Sequence, residues 1–230
     1  MRFLVKSLNK VRNVIDGSMK AIQRKTDVQY AALEKWYKED PHSLRRSSFD
    51  FLGDDSIVFD LGGYEGQWAS DIAARYSCNI FIFEPVKEYY DIISDRFKFN
   101  RKIKCFQWGL SDKASQVEIN VNEFASSIFQ QDKHPSKKES ISLKSFSDFR
   151  GQNQLETIDL MKINIEGGEY DLLEGIISNG EISCVNNLLI QFHNFVPDAN
   201  KRKQNIKKNL AQTHQVIFDF EYVWEHWKLK

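Results

Sequence analysis

The sequence predicts an α/β domain with a doubly wound, mostly parallel sheet, and two observations predict it. From Ser56 onward, short apolar runs alternate with helical patterns, and those runs do not alternate between apolar and polar residues. Runs such as Ser56–Asp60 (SIVFD) and Asn79–Phe83 (NIFIF) are rich in β-branched and aromatic residues, as strands covered on both faces must be. Repetition of strand and helix at this spacing makes neighbouring strands parallel, because a parallel connection needs a crossover long enough to hold a helix.

The elements follow in order. Strand Ser56–Asp60 precedes a helix over Gly66–Tyr76, strand Asn79–Phe83, a helix over Val86–Phe99 and strand Ile103–Gln107. Gln116–Val121 (QVEINV) alternates, which reads as a strand with one wet face. Gln130–Lys144 is polar and charged and is expected to be a mobile loop or lid. Next come strand Ile158–Ile165, a helix from about Gly168 to Ser178, strand Val185–Phe192 and a basic helix within Pro197–Gln212. Gln215–Phe220 and Tyr222–Lys228 end the chain as an expected antiparallel hairpin.

Residues 1–50 read as a helical appendage to a domain over 51–230. Phe3, Leu4, Leu8, Val11, Val14, Ile15, Met19 and Ile22 have helical spacing, with Arg2, Lys6, Lys10, Arg12, Lys20, Arg24 and Lys25 between them. This basic amphipathic helix, broken near Gly17, is expected to pack on the domain or on a second copy of the chain in a homo-oligomer. A peripheral contact with an anionic membrane surface is the alternative. A second helix covers Val28–Lys38 and ends before Pro41.

Composition bounds the function. At 230 residues, 41% hydrophobic and 13% aromatic, the chain can bury a full core. Lys plus Arg and Asp plus Glu number 32 each, so no global charge draws nucleic acid. The basic run Lys201–Lys208 is the local exception, and it reads as a solvated helix face. Cys78, Cys105 and Cys184 are sparse and form no CxxC, which suits reduced thiols in a cytoplasmic protein. No apolar run reaches the ~20 residues that span a bilayer, and Lys6, Lys10 and Arg12 interrupt any signal-peptide core. The expected place is the cytoplasm, including the inner face of the membrane.

In such sheets ligands bind at the carboxyl ends of the strands, near the switch in strand order. The first strand ends in Asp60-Leu61-Gly62-Gly63-Tyr64-Glu65-Gly66, which departs from the G-x-G-x-x-G of a dinucleotide cradle. An acid-then-glycine loop suits a ligand with a cationic amine and an uncharged nucleoside. Glu84, 24 residues after Asp60, ends the second strand and can accept hydrogen bonds from both hydroxyls of a ribose. Pro85 follows it. Leu110 can cover an adenine and Ser111 can meet its polar edge. On the fourth strand Leu160, Lys162, Asn164 and Glu166 share one face, and Met161, Ile163 and Ile165 the other. A lysine, an amide and a carboxylate there must pair with one another or face a cleft. Glu169, in the first turn of the next helix, has a structural role open to it beside a role in the site. His193 ends the fifth strand, where an imidazole can act as a general base.

Together these segments resemble the FkbM family of methyltransferases. The resemblance rests on Val58–Gly66 (VFDLGGYEG), Phe83-Glu84-Pro85, Gly109–Asp112 (GLSD), Ser142–Phe149 (SLKSFSDF), Asp159–Tyr170 (DLMKINIEGGEY) and Leu189–His193 (LIQFH), over roughly residues 56–195. It implies a Rossmann-like class I fold and transfer of a methyl group from S-adenosylmethionine to a hydroxyl of a small molecule or glycan, a sugar first of all. The implied cofactor-binding residues are Asp60, Gly62, Gly63, Tyr64, Gly66, Glu84, Pro85, Leu110, Ser111 and Asn164, with His193 and Glu166 catalytic. Two positions depart from the family. Asn164 stands where the family usually has Asp, which disfavours tight binding of a divalent metal. Tyr64 stands where Asn is frequent, which alters contacts to the methionine part of the cofactor. A non-catalytic S-adenosylmethionine-binding module, an acceptor other than a sugar and a nucleic-acid methyltransferase are the competing readings.

Overall fold

The computed structural model describes residues 28–121 and 137–230. The basic segment Phe3–Ile22 and residues 130–136 of the expected loop lie outside the described residues.

The described chain runs α1 (Val28–Glu39), a 3-10 turn (Leu44–Arg46), β1 (Ile57–Leu61), α2 (Gln67–Tyr76), β2 (Asn79–Phe83), α3 (Lys87–Phe97), β3 (Ile103–Phe106), β4 (Gly109–Ser111) and β5 (Ser115–Val121). It continues through β6 (Lys137–Ser145), α4 (Phe146–Gln152), β7 (Leu160–Ile163), α5 (Glu169–Ser178), a 3-10 turn (Glu181–Cys184), β8 (Asn187–Ile190), α6 (Ala199–Thr213), β9 (His214–Phe220) and β10 (Trp224–Leu229). Seven strands form the main sheet in the order β3-β2-β1-β7-β8-β10-β9. The first five are parallel, and β10 runs antiparallel to both β8 and β9. This is the doubly wound parallel sheet with a terminal hairpin that the apolar runs predict. The chain steps outward from β1 to β2 and β3, then returns to β7 on the other side of β1. The strand order therefore reverses between β1 and β7, where ligands bind in such sheets.

Both faces of the sheet are covered. One apolar cluster joins Trp36 of α1, Ala69 and Ile72 of α2, and Ile93 and Phe97 of α3 to Val58, Ile80, Ile82, Leu160 and Leu189. The other joins Phe146 and Phe149 of α4, Tyr170 and Leu173 of α5, and Ile206 and Leu210 of α6 to Phe59, Phe83, Met161 and Ile163. The split between Leu160 and Met161 is the alternation that a strand imposes. That alternation ends sooner than the sequence suggests. Glu166 has φ 52° and Gly167 φ 105°, so the backbone turns away after Asn164 and Glu166 does not extend the row of Leu160 and Lys162.

A second sheet, in the order β4-β6-β5, corrects the loop expected over Gln130–Lys144. Lys137–Ser145 is a strand, antiparallel to β5 and parallel to β4. Charged and hydroxyl side chains mask its apolar residues, Ile141 and Leu143, which are spaced two apart. Ile119 and Ile141 are buried with Val86, and Val117, Leu143 and Tyr89 pack around them. Helix α4 starts at Ser145, whose Oγ accepts the Asp148 N–H at 3.2 Å, the usual way a serine caps a helix. Trp224 and Trp227 are buried in the core.

The basic face of α6 is engaged with acids of the same chain. Lys203 is wholly buried, its Nζ 2.9 Å from Glu221 Oε1 and 3.0 Å from Glu225 Oε1. Glu225 is itself buried and accepts the Trp227 indole N–H at 2.9 Å. Lys207 pairs with Asp219, and Arg202 reaches Asp171 and Glu174, each at 2.6 Å. No helix among the described residues is long and apolar enough to cross a membrane.

Removing one partner of a buried ion pair strands the other in low dielectric. Lys203→Ala is expected to lower the unfolding free energy by about 3–5 kcal/mol, read from urea denaturation, while the exposed change Lys201→Ala shifts it by less than about 0.5 kcal/mol.

Candidate active site

The floor of the site is made where β1 and β7 run side by side. Asp60 and Lys162 are register partners across these strands. Asp60 is fully buried, and burial pushes its carboxyl pKa up, with the charge and hydrogen bond of Lys162 pulling it down. Lys162 Nζ donates to Asp60 Oδ1 at 2.8 Å and to the Gly62 carbonyl at 2.7 Å. One ammonium thus neutralises the acid and fixes the turn that leaves β1. That turn is crowded by backbone. Gly62 has φ +80°, and a Cβ there would lie 2.0 Å from the Asn164 carbonyl oxygen; one on Gly63 would lie 2.3 Å from Ile82 Cγ2. These glycines let the ends of β1, β2 and β7 close on one another.

Tyr64 follows, with φ 49°, a left-handed conformation that costs an L-residue about 1–2 kcal/mol. Its N–H donates to Glu84 Oε2 at 2.9 Å, and Glu84 Oε1 accepts the Val86 N–H at 3.0 Å. Glu84 is buried. Burial pushes its pKa up to about 7 against the pull of the two backbone N–H groups. Each carboxylate oxygen retains a lone pair for a further donor.

At the end of β7 the chain supplies a second acidic group. Glu169, in the first turn of α5, is fully buried. Its Oε2 accepts the Gly167 N–H at 2.8 Å, and its Oε1 accepts the His193 backbone N–H at 2.9 Å and lies 3.1 Å from His193 Nδ1. Glu166 Oε2 lies 3.4 Å from His193 Nε2 on the other side of the ring. Tyr170 Oη donates to the His193 carbonyl at 2.8 Å. Burial alone lowers the His193 pKa, but the hydrogen bonds and charges of Glu166 and Glu169 outweigh it and push it up to about 9. At neutral pH this imidazole is a cation between two carboxylates, not the neutral base its usual pKa would make it.

These groups meet in a cleft of about 260 Å³ over the ends of β1, β2 and β7. Of the residues singled out in the sequence, Gly62, Tyr64, Glu84 and Pro85 line it, as do Leu110, Ser111, Asn164 and Glu166. Asp60, Gly63 and Gly66 do not: Asp60 lies beneath the floor, and the two glycines pack against Ile82 and Phe97. His193 stands behind Glu166 and is not part of the cleft wall. The sequence left Glu169 open between a structural and a site role, because a place in a first helical turn does not distinguish a buried hydrogen-bond anchor from a helix-end charge; the structure makes it the anchor of His193. One set of residues escaped the sequence reading. The apolar wall of Val117, Ile119, Ile141 and Leu143 belongs to the second sheet, and its one signal was the period-two spacing of Ile141 and Leu143.

At the site, two buried acceptor atoms, Asp60 Oδ2 and Asn164 Oδ1, have no hydrogen-bond partner among the described residues. A buried acceptor without a donor is costly, and Asn164 faces the cleft. Among the described residues no group of three or more His, Cys, Asp or Glu is arranged to hold a metal ion.

Comparison with known proteins gives the family. No curated protein matches the chain in sequence. A solved FkbM methyltransferase from Methylobacillus flagellatus superposes with a TM-score of 0.54 at 15% identity, over 97% of this chain and 60% of that one. This chain thus spans less than two thirds of that relative. A methyltransferase of Streptococcus mutans, solved in complex with SAH, superposes with a TM-score of 0.50 at 10% identity, over 82% of this chain and 96% of that one. At such identities the likeness is one of fold: the class I, Rossmann-like methyltransferase fold. The model of the FkbM methyltransferase domain matches residues 60–222, which is more than half of the chain, and the protein belongs to the FkbM methyltransferase family.

Proposed function

We propose that this chain transfers a methyl group from S-adenosylmethionine to a hydroxyl group of a small molecule or glycan, a sugar first of all. The observation that carries the reading is one cleft that joins a buried strand-end carboxylate, Glu84, to the Glu166–His193–Glu169 cluster across the end of β1. Glu84 follows β2 and Glu166 follows the turn after β7, so the two acids approach the cleft from either side of β1.

The residues fit the cofactor. The free lone pairs of Glu84 suit two vicinal ribose hydroxyls, Leu110 and Val86 suit a flat base, and the unsatisfied Asn164 Oδ1 suits an ammonium donor. Such a cofactor supplies an electrophilic methyl group on a sulfonium. The protein has two tasks: to align the acceptor oxygen and to take its proton. Alignment is worth ~7–11 kcal/mol in well-oriented systems, against ~10²–10⁴-fold for proton transfer. Glu166, on the cleft wall, accepts the acceptor O–H. His193, behind it, receives that proton from Glu166 once it has lost its own, and Glu169 holds the ring in place by its Nδ1 and its backbone N–H. The sugar acceptor is supported by the family resemblance, and the proton-accepting cluster supports a hydroxyl.

Calorimetric titration with S-adenosylmethionine, S-adenosylhomocysteine and NAD tests the cofactor. Both adenosyl compounds should bind and NAD should not, and Glu84→Ala should weaken binding by at least about tenfold, the loss of one charge-assisted hydrogen bond. Failure of both adenosyl compounds to bind overturns the reading. His193→Ala should lower turnover by about 10²–10⁴-fold and leave the affinity for S-adenosylhomocysteine nearly unchanged. In the wild type, turnover should climb with pH toward about 9, where His193 gives up its proton; a flat profile from pH 7 to 10 removes His193 from the proton path. The same group sets a stability trend. Its folded pKa lies above the unfolded value of about 6.5, so its stabilisation is complete below pH 6.5 and is lost as pH rises through about 9. Thermal unfolding of His193→Gln should show a smaller decline over that window than the wild type.

A further inference from the structure

Tyr64 combines features that its packing does not reward. It is a large side chain held at φ 49°, a position that Asn or Gly occupies with less strain. The residue is 45% exposed, so burial returns little of the strain. The ring lies on the cleft wall, 4.6 Å between centroids from that of Tyr89, with the planes tilted by 59°. Tyr89 comes from the first turn of α3 and packs beside Val86, Ile119 and Ile141. The backbone N–H of Tyr64 is anchored on Glu84 Oε2, the carboxylate offered to the ribose. The strained residue thus carries its ring directly over the end of the cleft where Glu84 and Val86 lie.

We propose that Tyr64 and Tyr89 form an aromatic clamp on the adenosine half of the bound cofactor, and that they set how tightly it is held. This rests on the cofactor assignment above and moves Tyr64 from the methionine part, where the resemblance places its effect, to the ribose end, because its N–H is bound to Glu84. Two phenol rings packed against each other at an angle present a continuous apolar wall to the cleft, against which the faces of a ribose and a purine can rest. A nucleobase stacks on aromatic side chains whatever its hydrogen-bonding edge. The hydroxyl-bearing acceptor belongs at the other end of the cleft, by Glu166.

Titration calorimetry with S-adenosylhomocysteine tests this, using Tyr64→Asn, Tyr64→Phe and Tyr89→Ala in the full chain beside the wild type. Tyr64→Asn should weaken binding by roughly 5- to 100-fold, the range of one lost stacking contact, while the melting temperature of the ligand-free protein stays level or rises because the left-handed strain is relieved. Tyr64→Phe keeps the ring and should bind within about twofold of the wild type. Tyr89→Ala should weaken binding in the same sense. If Tyr64→Asn binds S-adenosylhomocysteine as tightly as the wild type, the clamp is overturned and the cofactor assignment stands. The clamp is also overturned if Tyr64→Asn changes only the KM of the acceptor, or if it lowers the melting temperature and binding together while Tyr89→Ala binds normally. If the wild type itself fails to bind, the cofactor assignment falls and takes the clamp with it.

Discussion

The buried pair of Lys162 and Asp60 is the constraint on which the rest of the site depends. It joins the two central strands at the place where strand order reverses, and both charges are out of reach of water. A lone carboxylate there would protonate and a lone ammonium would cost several kcal/mol. Together they are tolerated, and the ammonium also holds the Gly62 carbonyl. That bond fixes the β1 turn, the turn presents the Tyr64 N–H, and the N–H orients Glu84. The cleft is thus organised outward from one ion pair that the ligand need not touch.

Much of this was legible in the sequence because covered parallel strands have a plain signature. The apolar runs from Ser56 to Phe106 and from Leu160 to Ile190 announce the sheet, and polar residues placed among them announce the site. Lys162 in the middle of β7 had to find a partner or a cleft, and it found Asp60. What could not be read arises where identity does not determine direction. Glu166 looked like the next member of the row of Leu160, Lys162 and Asn164, but a left-handed backbone at that residue turns it toward His193. Strand β6 read as a loop because its lysines, serines and glutamate outnumber the two apolar residues that anchor it. Lys203 read as a solvated charge, because a helical basic run does not show that Glu221 and Glu225 of β10 and the turn before it will stand beneath it.

His193 and Glu84 show how burial and hydrogen bonding set two titrations in opposition to ordinary expectation. Glu84 is an acid moved toward neutrality by desolvation, and its two backbone donors keep it from moving further. His193 is less deeply buried, and two carboxylates reverse the effect of its burial and hold it as a cation. Both groups bear on the same cleft, and both have pKa values displaced in the same numerical direction for contrary reasons. Residue type alone would have assigned the histidine as the readier base, but Glu166 lines the cleft and His193 stands behind it.

The second sheet gives the cleft one further property. Val117, Ile119, Ile141 and Leu143 are at once the anchor that seats the β5–β6 hairpin on Val86 and the wall that a ligand meets. In most pockets, residues that read the ligand can vary while others keep the fold. Here the two duties fall on the same few side chains, so a mutation that widens or narrows the chamber also loosens or overpacks the hairpin. Diversification of what the cleft accepts must therefore proceed by paired, compensating changes across the two strands, and single substitutions are filtered by folding before recognition is ever tried.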